Sequence, residues 1–335
     1  MNYPPISASV SASVSATTTS SSIPWIELYR PTKMENIVLN SMNRKLFHNM
    51  LEKNYFPNLL FYGPPGTGKT TTIINLINNY QTKNNGGKST IIHLNASDER
   101  GIDIIRNQIN QFVRSKNMFE SGLKFVILDE VDYMTKNAQQ ALKYLLQVSS
   151  SNIRYCLICN YISKIDESLQ NEFICIRFNQ LPTSEIHLFL TMIAKKENIQ
   201  ITDDIIHIIQ SNFHSDIRSM INFLQLNQNL VVWKDNIIDI SCWKHIHHML
   251  LESSITVDVI IAFFHDCSIK YNMDTHNIMY LYLNYVIRDK KCNYLLTTVF
   301  MDIIEKLIHN ETKIECSLHY FCHFVKKYYS SLSHP

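Results

Sequence analysis

The amino-acid sequence predicts an α/β fold: a parallel sheet covered by helices, then a small helical lid domain and an all-α C-terminal collar domain. Three observations predict it. Short apolar runs alternate with helical stretches from Pro57 to about residue 160. A glycine-rich turn opens the first of those helices, and all seven glycines lie between positions 63 and 122. Between Thr183 and His334 there is neither Gly nor Pro. Strand-rich folds need tight turns that recruit those residues, whereas helix interiors exclude them. The C-terminal half therefore reads as helical, and any unusual backbone site must lie in the front half.

The chain has 335 residues, enough for two or three domains. Hydrophobic residues make up 45% and charged residues 18%, so a sizeable core is expected and wholesale disorder is excluded. Net charge is +2 and the pI is near 8.0. Nucleic-acid binding would have to come from a local basic patch. No apolar run approaches the ~18 residues of a membrane span, so a soluble protein is expected, with no membrane partner. The eight cysteines are scattered. Cys156 and Cys159 have C-x-x-C spacing but sit inside an apolar run with no second pair, and read as free buried thiols in a reducing compartment.

Taken in order, residues 1–22 alternate Ser with Ala and Val, then become Thr/Ser-rich, and read as a flexible tail. Asn58–Tyr62 is a short apolar strand and Thr70–Tyr80 a helix. Thr90–Leu94 is a second strand. Asp103–Val113 is a helix with Ile104, Ile105, Ile109 and Phe112 on one face. Phe125–Leu128 is a continuous apolar strand of the kind buried on both faces. Asn137–Gln147 is helical, and Tyr155–Cys159 is a fourth strand. This alternation is that of a parallel sheet between helices. Thr183 with Glu185, and Thr202-Asp-Asp, look like helix starts. The expected division is a tail to 22, a nucleotide-binding domain over 23–181, a helical lid over 182–232 and a helical collar over 233–335. The apolar content of that last block points to packing against other subunits.

Gly63-Pro-Pro-Gly-Thr-Gly-Lys-Thr70 fits G-x-x-x-x-G-K-[ST] in full, and it follows a strand and opens a helix, as the mechanism requires. A chance match somewhere in a chain of this length is roughly 1%. Glycines at 63, 66 and 68 let backbone N–H groups curl around phosphates, with Pro64, Pro65 and Thr67 completing the turn and Thr71 beside it. Lys69 would reach the β- and γ-phosphates, and the Thr70 hydroxyl would hold Mg²⁺. Phe125-Val-Ile-Leu-Asp129-Glu130 supplies the second half. A buried strand ending in two carboxylates is costly unless a cation waits there. Asp129 would hold Mg²⁺ through water, and Glu130 would polarise the attacking water. Asn160 ends the next strand and either orients that water or merely caps the strand.

These stretches, with Trp25-Ile-Glu-Leu-Tyr-Arg-Pro31, Leu94-Asn-Ala-Ser-Asp-Glu-Arg-Gly-Ile-Asp103, Leu157-Ile-Cys-Asn-Tyr161 and Ser215-Asp-Ile-Arg218, resemble the small subunits of replication factor C, the AAA+ clamp loader. The resemblance covers about residues 24–230; from 235 onward only a helical character suits the family's collar. It implies an AAA+ P-loop ATPase fold with ATP and Mg²⁺ as cofactors. It places Tyr29, Arg30, Pro31, Ile37 and Val38 beside the adenine and ribose. It makes Asn160 the first sensor and Arg218 the second, a lid cation touching the γ-phosphate. One departure stands out. The family's Ser-Arg-Cys triplet supplies an arginine finger to the neighbouring subunit's ATP, but the matching place here reads Asn171-Glu172-Phe173. A carboxylate there would oppose a transition state that a trans arginine speeds by about 10³–10⁵. Arg177 lies too far along the next strand to be an obvious substitute.

The resemblance also implies partners: other clamp-loader subunits in a hetero-pentamer, a ring-shaped sliding clamp and primer–template DNA. Arg106 is the best candidate for a DNA-backbone contact, with Ile102, Arg114 and Lys136 behind it. Such contacts are salt-sensitive and sequence-tolerant, and a solvated helix face is the plain rival. Met118-Phe119 resembles the hook by which loader subunits grip the clamp, with core packing as its rival. The histidines at 245, 247 and 248, and the pair His319 and His323, are assigned no metal. The expected function is an ATP-hydrolysing clamp-loader subunit in DNA replication. It would be nuclear if cellular, or in a viral replication compartment or host cytoplasm if virus-encoded. Two alternatives stay open: a subunit of the same ring that uses ATP only structurally, and an AAA+ ATPase with another target.

Overall fold

A computed structural model describes residues 23–84, 91–97, 105–115, 122–148, 152–230, 233, 236–309 and 314–332. Five strands form one sheet: β1 Leu59–Tyr62, β2 Ile91–Asn95, β3 Lys124–Asp129, β4 Ile153–Cys159 and β5 Ile174–Arg177. Their spatial order is β2-β3-β4-β1-β5, and every pairing is parallel. Parallel neighbours need crossover connections, and here helices supply them. They are α3 Lys69–Lys83, α4 Asn110–Arg114, α5 Lys136–Val148 and the short α6 Glu167–Gln170, while α1 Trp25–Leu28 and α2 Ser41–Glu52 precede β1. The side chains of Phe125 to Leu128 are buried throughout, as the unbroken apolar run requires.

Alternation of side chains along the strands divides the core in two. One layer gathers Leu59, Phe61, Phe125, Ile127, Cys156 and Ile158 against Ile73, Leu76 and Ile77 of α3. The other gathers Leu60, Val126, Leu128, Leu157 and Cys159 against Leu142 and Leu145 of α5. Cys156 and Cys159 thus point to opposite sides of the sheet, which separates the two thiols of the C-x-x-C sequence. Burial pushes both thiols up, that of Cys159 to about 12. Cys175 and Cys316, in contrast, are exposed.

Three further helices, α7 Thr183–Lys196, α8 Asp203–Phe213 and α9 Ile217–Leu226, enclose Ile186, Leu190, Ile206, Ile209, Met220 and Leu224. Trp25 and Val38, from the segment preceding the sheet, pack into this same cluster. The remaining helices are α10 Ile240–Leu251, α11 Val257–Tyr271, α12 Thr275–Arg288, α13 Thr298–His309 and α14 Ile314–Leu332. They share a separate core built on Ile246, Phe264, Tyr282, Phe300, Phe321 and Tyr329.

Two elements differ from the sequence reading. The helix expected over Asp103–Val113 begins, within the described residues, as a π turn over Ile105–Ile109 and becomes α-helical only at Asn110. The turn delivers Ile109, fully buried, to the sheet, with Phe112 and Val113 half-buried behind it. The fifth strand, β5, carries Arg177 but breaks the apolar pattern of the others, since its Ile174, Cys175 and Arg177 are exposed. As the edge strand beside β1 it has one covered face and lacks the apolar continuity of the central strands.

Candidate functional site

The carboxyl ends of the strands set the site. Tyr62 of β1 lies opposite Cys159 of β4, and Asn95 of β2 opposite Asp129 of β3. Gly63, Asp129 and Asn160 therefore emerge along one edge, where doubly wound sheets bind ligands. The loop from Gly63 to Gly68 turns there, and Gly68, with φ 83°, precedes the first turn of α3. Two glycines are required by close approach. A Cβ on Gly63 would lie 1.8 Å from the Phe178 carbonyl oxygen, and one on Gly66 1.8 Å from Oδ1 of Asp216.

Lys69 is buried, 7% exposed. Its Nζ donates to the carbonyls of Gly63 and Pro64, each at 2.8 Å, and to Oδ1 of Asn160 at 3.0 Å. Burial pushes its pKa down, and the Asp129 carboxylate opposes that shift. Thr70 Oγ1 donates to Asp129 Oδ2 at 2.8 Å. The backbone N–H of Glu130 donates to the other oxygen of Asp129 at 2.9 Å, and Glu130 itself takes the left-handed conformation with φ 56°. The strand thus ends in a sharp turn that separates the two carboxylates.

A cavity of about 310 Å³ opens over this edge. Of the residues expected at the nucleotide, it is lined by Arg30, Pro31, Ile37, Val38, Pro65, Gly66, Thr67, Gly68, Lys69, Thr70, Thr71, Asp129, Glu130, Asn160 and Arg218. Gly63 and Pro64 stand behind the lining, where their carbonyls hold Lys69. Tyr29 is not brought in. Its hydroxyl donates to the Glu197 carboxylate and its ring lies under the Lys196 ammonium at 5.5 Å. Lid residues Phe189, Ile217 and Ile221, with Ile26, Glu27 and Ile158, complete the wall. None of these six was expected from the sequence: the five isoleucine and phenylalanine positions read as core, and Glu27 as a solvated helix residue, with no local mark of facing a ligand.

Sequence reading also left Asp216 without a role. It caps α9, accepting from Ser219 N at 3.0 Å and from the Ser219 hydroxyl at 2.8 Å. Ile217 N donates to the Gly66 carbonyl at 3.2 Å. The start of the lid helix is thereby docked on the phosphate loop, which brings Arg218, one residue on, to the cavity. An Asp directly before an apolar helical run was the available signal.

Asn171 and Glu172 are exposed after α6 and line a different cavity, with Tyr55, Arg154 and Ile174. Arg177 is exposed on β5. Arg114 ends α4 and Lys136 opens α5, both exposed. Arg106 falls in the π turn, but its side chain lies outside the described residues, as do Ile102, Met118 and Phe119. Among the described residues no helix is long and apolar enough to cross a membrane.

The model of the ATPase family associated with various cellular activities (AAA) matches residues 59–180, from β1 to just past β5. With the phosphate loop, the fold defines a nucleotide-binding AAA ATPase. Replication factor C subunit 3 of Schizosaccharomyces pombe is 35% identical over 254 residues, 75% of this chain and 74% of that protein. Replication factor C subunit 5 of Mus musculus is 38% identical over 61% of this chain and 60% of its own length. The small subunit 2 of Pyrobaculum islandicum is 39% identical over 60% of this chain and 62% of its own length. Those last two matches span less than two thirds of the relatives. Among solved structures, the Thermotoga maritima RuvB Holliday junction branch migration motor aligns with TM-score 0.50 at 14% identity, over 78% of this chain and 91% of that one. At that identity it shows the fold alone. The chain belongs to the replication factor C small-subunit family and is an ATPase subunit of a clamp loader.

Proposed function

We propose that this subunit binds ATP with Mg²⁺ at the phosphate loop and hydrolyses it, so that a ring of clamp-loader subunits opens a sliding clamp and closes it on primer–template DNA in the nucleus. The observation that carries this reading is the Lys69–Asn160 hydrogen bond at 3.0 Å beside the Thr70–Asp129 bond at 2.8 Å. A buried ammonium and a pair of hard oxygen donors face one cavity. The hydroxyl and carboxylate oxygens suit Mg²⁺, which when bound would neutralise charge on the phosphate oxygens.

In this reading Lys69 exchanges the carbonyls of Gly63 and Pro64 for phosphate oxygens when nucleotide enters. Asn160, released from the ammonium, is then free to orient the attacking water, and Glu130 polarises that water. Arg218 reaches the γ-phosphate from the lid, so closure of the lid depends on an intact triphosphate. The division at about 181 and 232 separates the parts that move. Exposed Arg114 and Lys136, with Arg106 and Ile102, track the DNA backbone, and Met118-Phe119 grips the clamp. Replacing Glu130 by Gln should leave ATP binding intact and lower hydrolysis by ~10²–10⁴-fold, the usual worth of a positioned base. Clamp loading that continued unchanged in Glu130→Gln would favour a purely structural nucleotide.

The exposed Asn171-Glu172 pair favours a second feature of this reading. The subunit accepts a finger from one neighbour and offers none to the next. Glu172→Arg in the assembled ring should raise hydrolysis at that junction; wild-type complexes already showing finger-dependent turnover there would exclude the idea.

A further inference from the structure

The largest cavity described outside the nucleotide site lies where the lid meets the C-terminal helices. Its volume is about 740 Å³, within the ~300–1,000 Å³ range of small-molecule sites. By the same measure the phosphate-loop cavity is about 310 Å³. Three cations from different places line it: Lys244 of α10, Arg288 at the end of α12, and Lys291 just beyond. Among the described residues none of the three has an ion pair or a side-chain hydrogen bond.

The cavity's one carboxylate is already engaged. Asp289 accepts the N–H of Lys291 at 3.0 Å. It feels both Lys291 and Lys244, while His214 on the lid side feels Arg288, so the charges share one neighbourhood. The same cavity is lined by the buried Trp243, half-buried Tyr285 and exposed Tyr294. Cations left unpaired around an aromatic floor recognise an anion that carries a flat or apolar body.

We infer that this junction is a second ligand site, separate from the phosphate loop, for a phosphate-bearing small molecule of nucleotide size. Lys244, Arg288 and Lys291 hold its phosphates, and Tyr285 and Tyr294 pack its ring. Because its walls come from both lid and C-terminal helices, occupancy joins the two blocks.

The test uses the full chain carrying Lys69→Ala, which disables the phosphate loop. Calorimetric titration with pyrophosphate and with ADP, at low salt, should show one saturable site. Adding Lys244→Glu and Arg288→Glu should weaken it at least about tenfold, as expected for two lost charge-assisted contacts, with the thermal midpoint unchanged. Photolabelling with an azido-adenine nucleotide should mark peptides containing Tyr285 or Tyr294. Three results would overturn the proposal: no saturable binding of either probe, binding indifferent to the charge reversals, or binding of a poly-glutamate peptide alone. The last would make the groove a protein-docking surface. None of these results bears on nucleotide binding at Lys69, which the wild-type chain reports separately.

Discussion

Lys69 carries its charge into a place where only 7% of the residue meets solvent, and three oxygen acceptors compensate it. A buried ammonium tolerates such a position only when its hydrogen bonds are made. Gly66 is constrained as tightly. Its φ of 71° is one that side chains rarely adopt, and a Cβ would meet the Asp216 carboxylate. Gly66→Ala should therefore push the lid off the loop and weaken ATP affinity more than it lowers stability. Nucleotide titration beside thermal melts would check this; a wild-type affinity would show that Asp216 moves aside at little cost. At this scale the site was highly legible. Gly63 to Thr70 are contiguous, so their chemistry is written in local order. Tyr29 does not line the cavity, and the Glu197 carboxylate that takes its hydroxyl stands far away in sequence.

Among the elements, α9 ties the lid to the nucleotide edge through one capping side chain. Asp216→Ala removes that cap and should cost about 0.5–2 kcal/mol, the usual worth of a helix N-cap. It should also blunt any effect of Arg218→Ala on hydrolysis, since Arg218 sits two residues on, in the first turn of the same helix. A double-mutant cycle on hydrolysis rate reads this coupling, and strict additivity would refute it. The strands divide by visibility. β3 and β4, covered on both faces, appear as unbroken apolar runs, whereas β5, half-exposed at the sheet edge, does not. The π turn at Ile105–Ile109 was invisible for another reason: α and π hydrogen bonds differ in span by a single residue, which a pattern of four apolar positions cannot resolve.

Across the whole molecule, burial pushes both His214 and His247 below the ordinary histidine range. His247 also shares a hydrogen bond of 2.9 Å with the buried Tyr282, whose hydroxyl lies 3.2 Å from that of Tyr329. The unfolded chain binds protons on these two residues more readily, so stability rises with pH wherever it does so. The stability present above an unfolded pKa of about 6.5 is lost progressively as pH falls through and below that value. Melting should shift downward between pH 7.5 and 5.5, and His247→Gln should flatten the shift; an unchanged slope would remove His247 as a cause.

The local chain chemistry was enough for the sheet-and-helix alternation, the phosphate loop, the paired acids and the helical second half. Each depends on residues adjacent in order or spaced by one structural period. The wall of the nucleotide cavity, the docking of Asp216 on Gly66, the bond of Tyr29 to Glu197 and the cationic groove between lid and C-terminal helices were decided only in three dimensions. They rest on contacts between residues many positions apart, and which distant surfaces meet is set by how whole apolar faces pack.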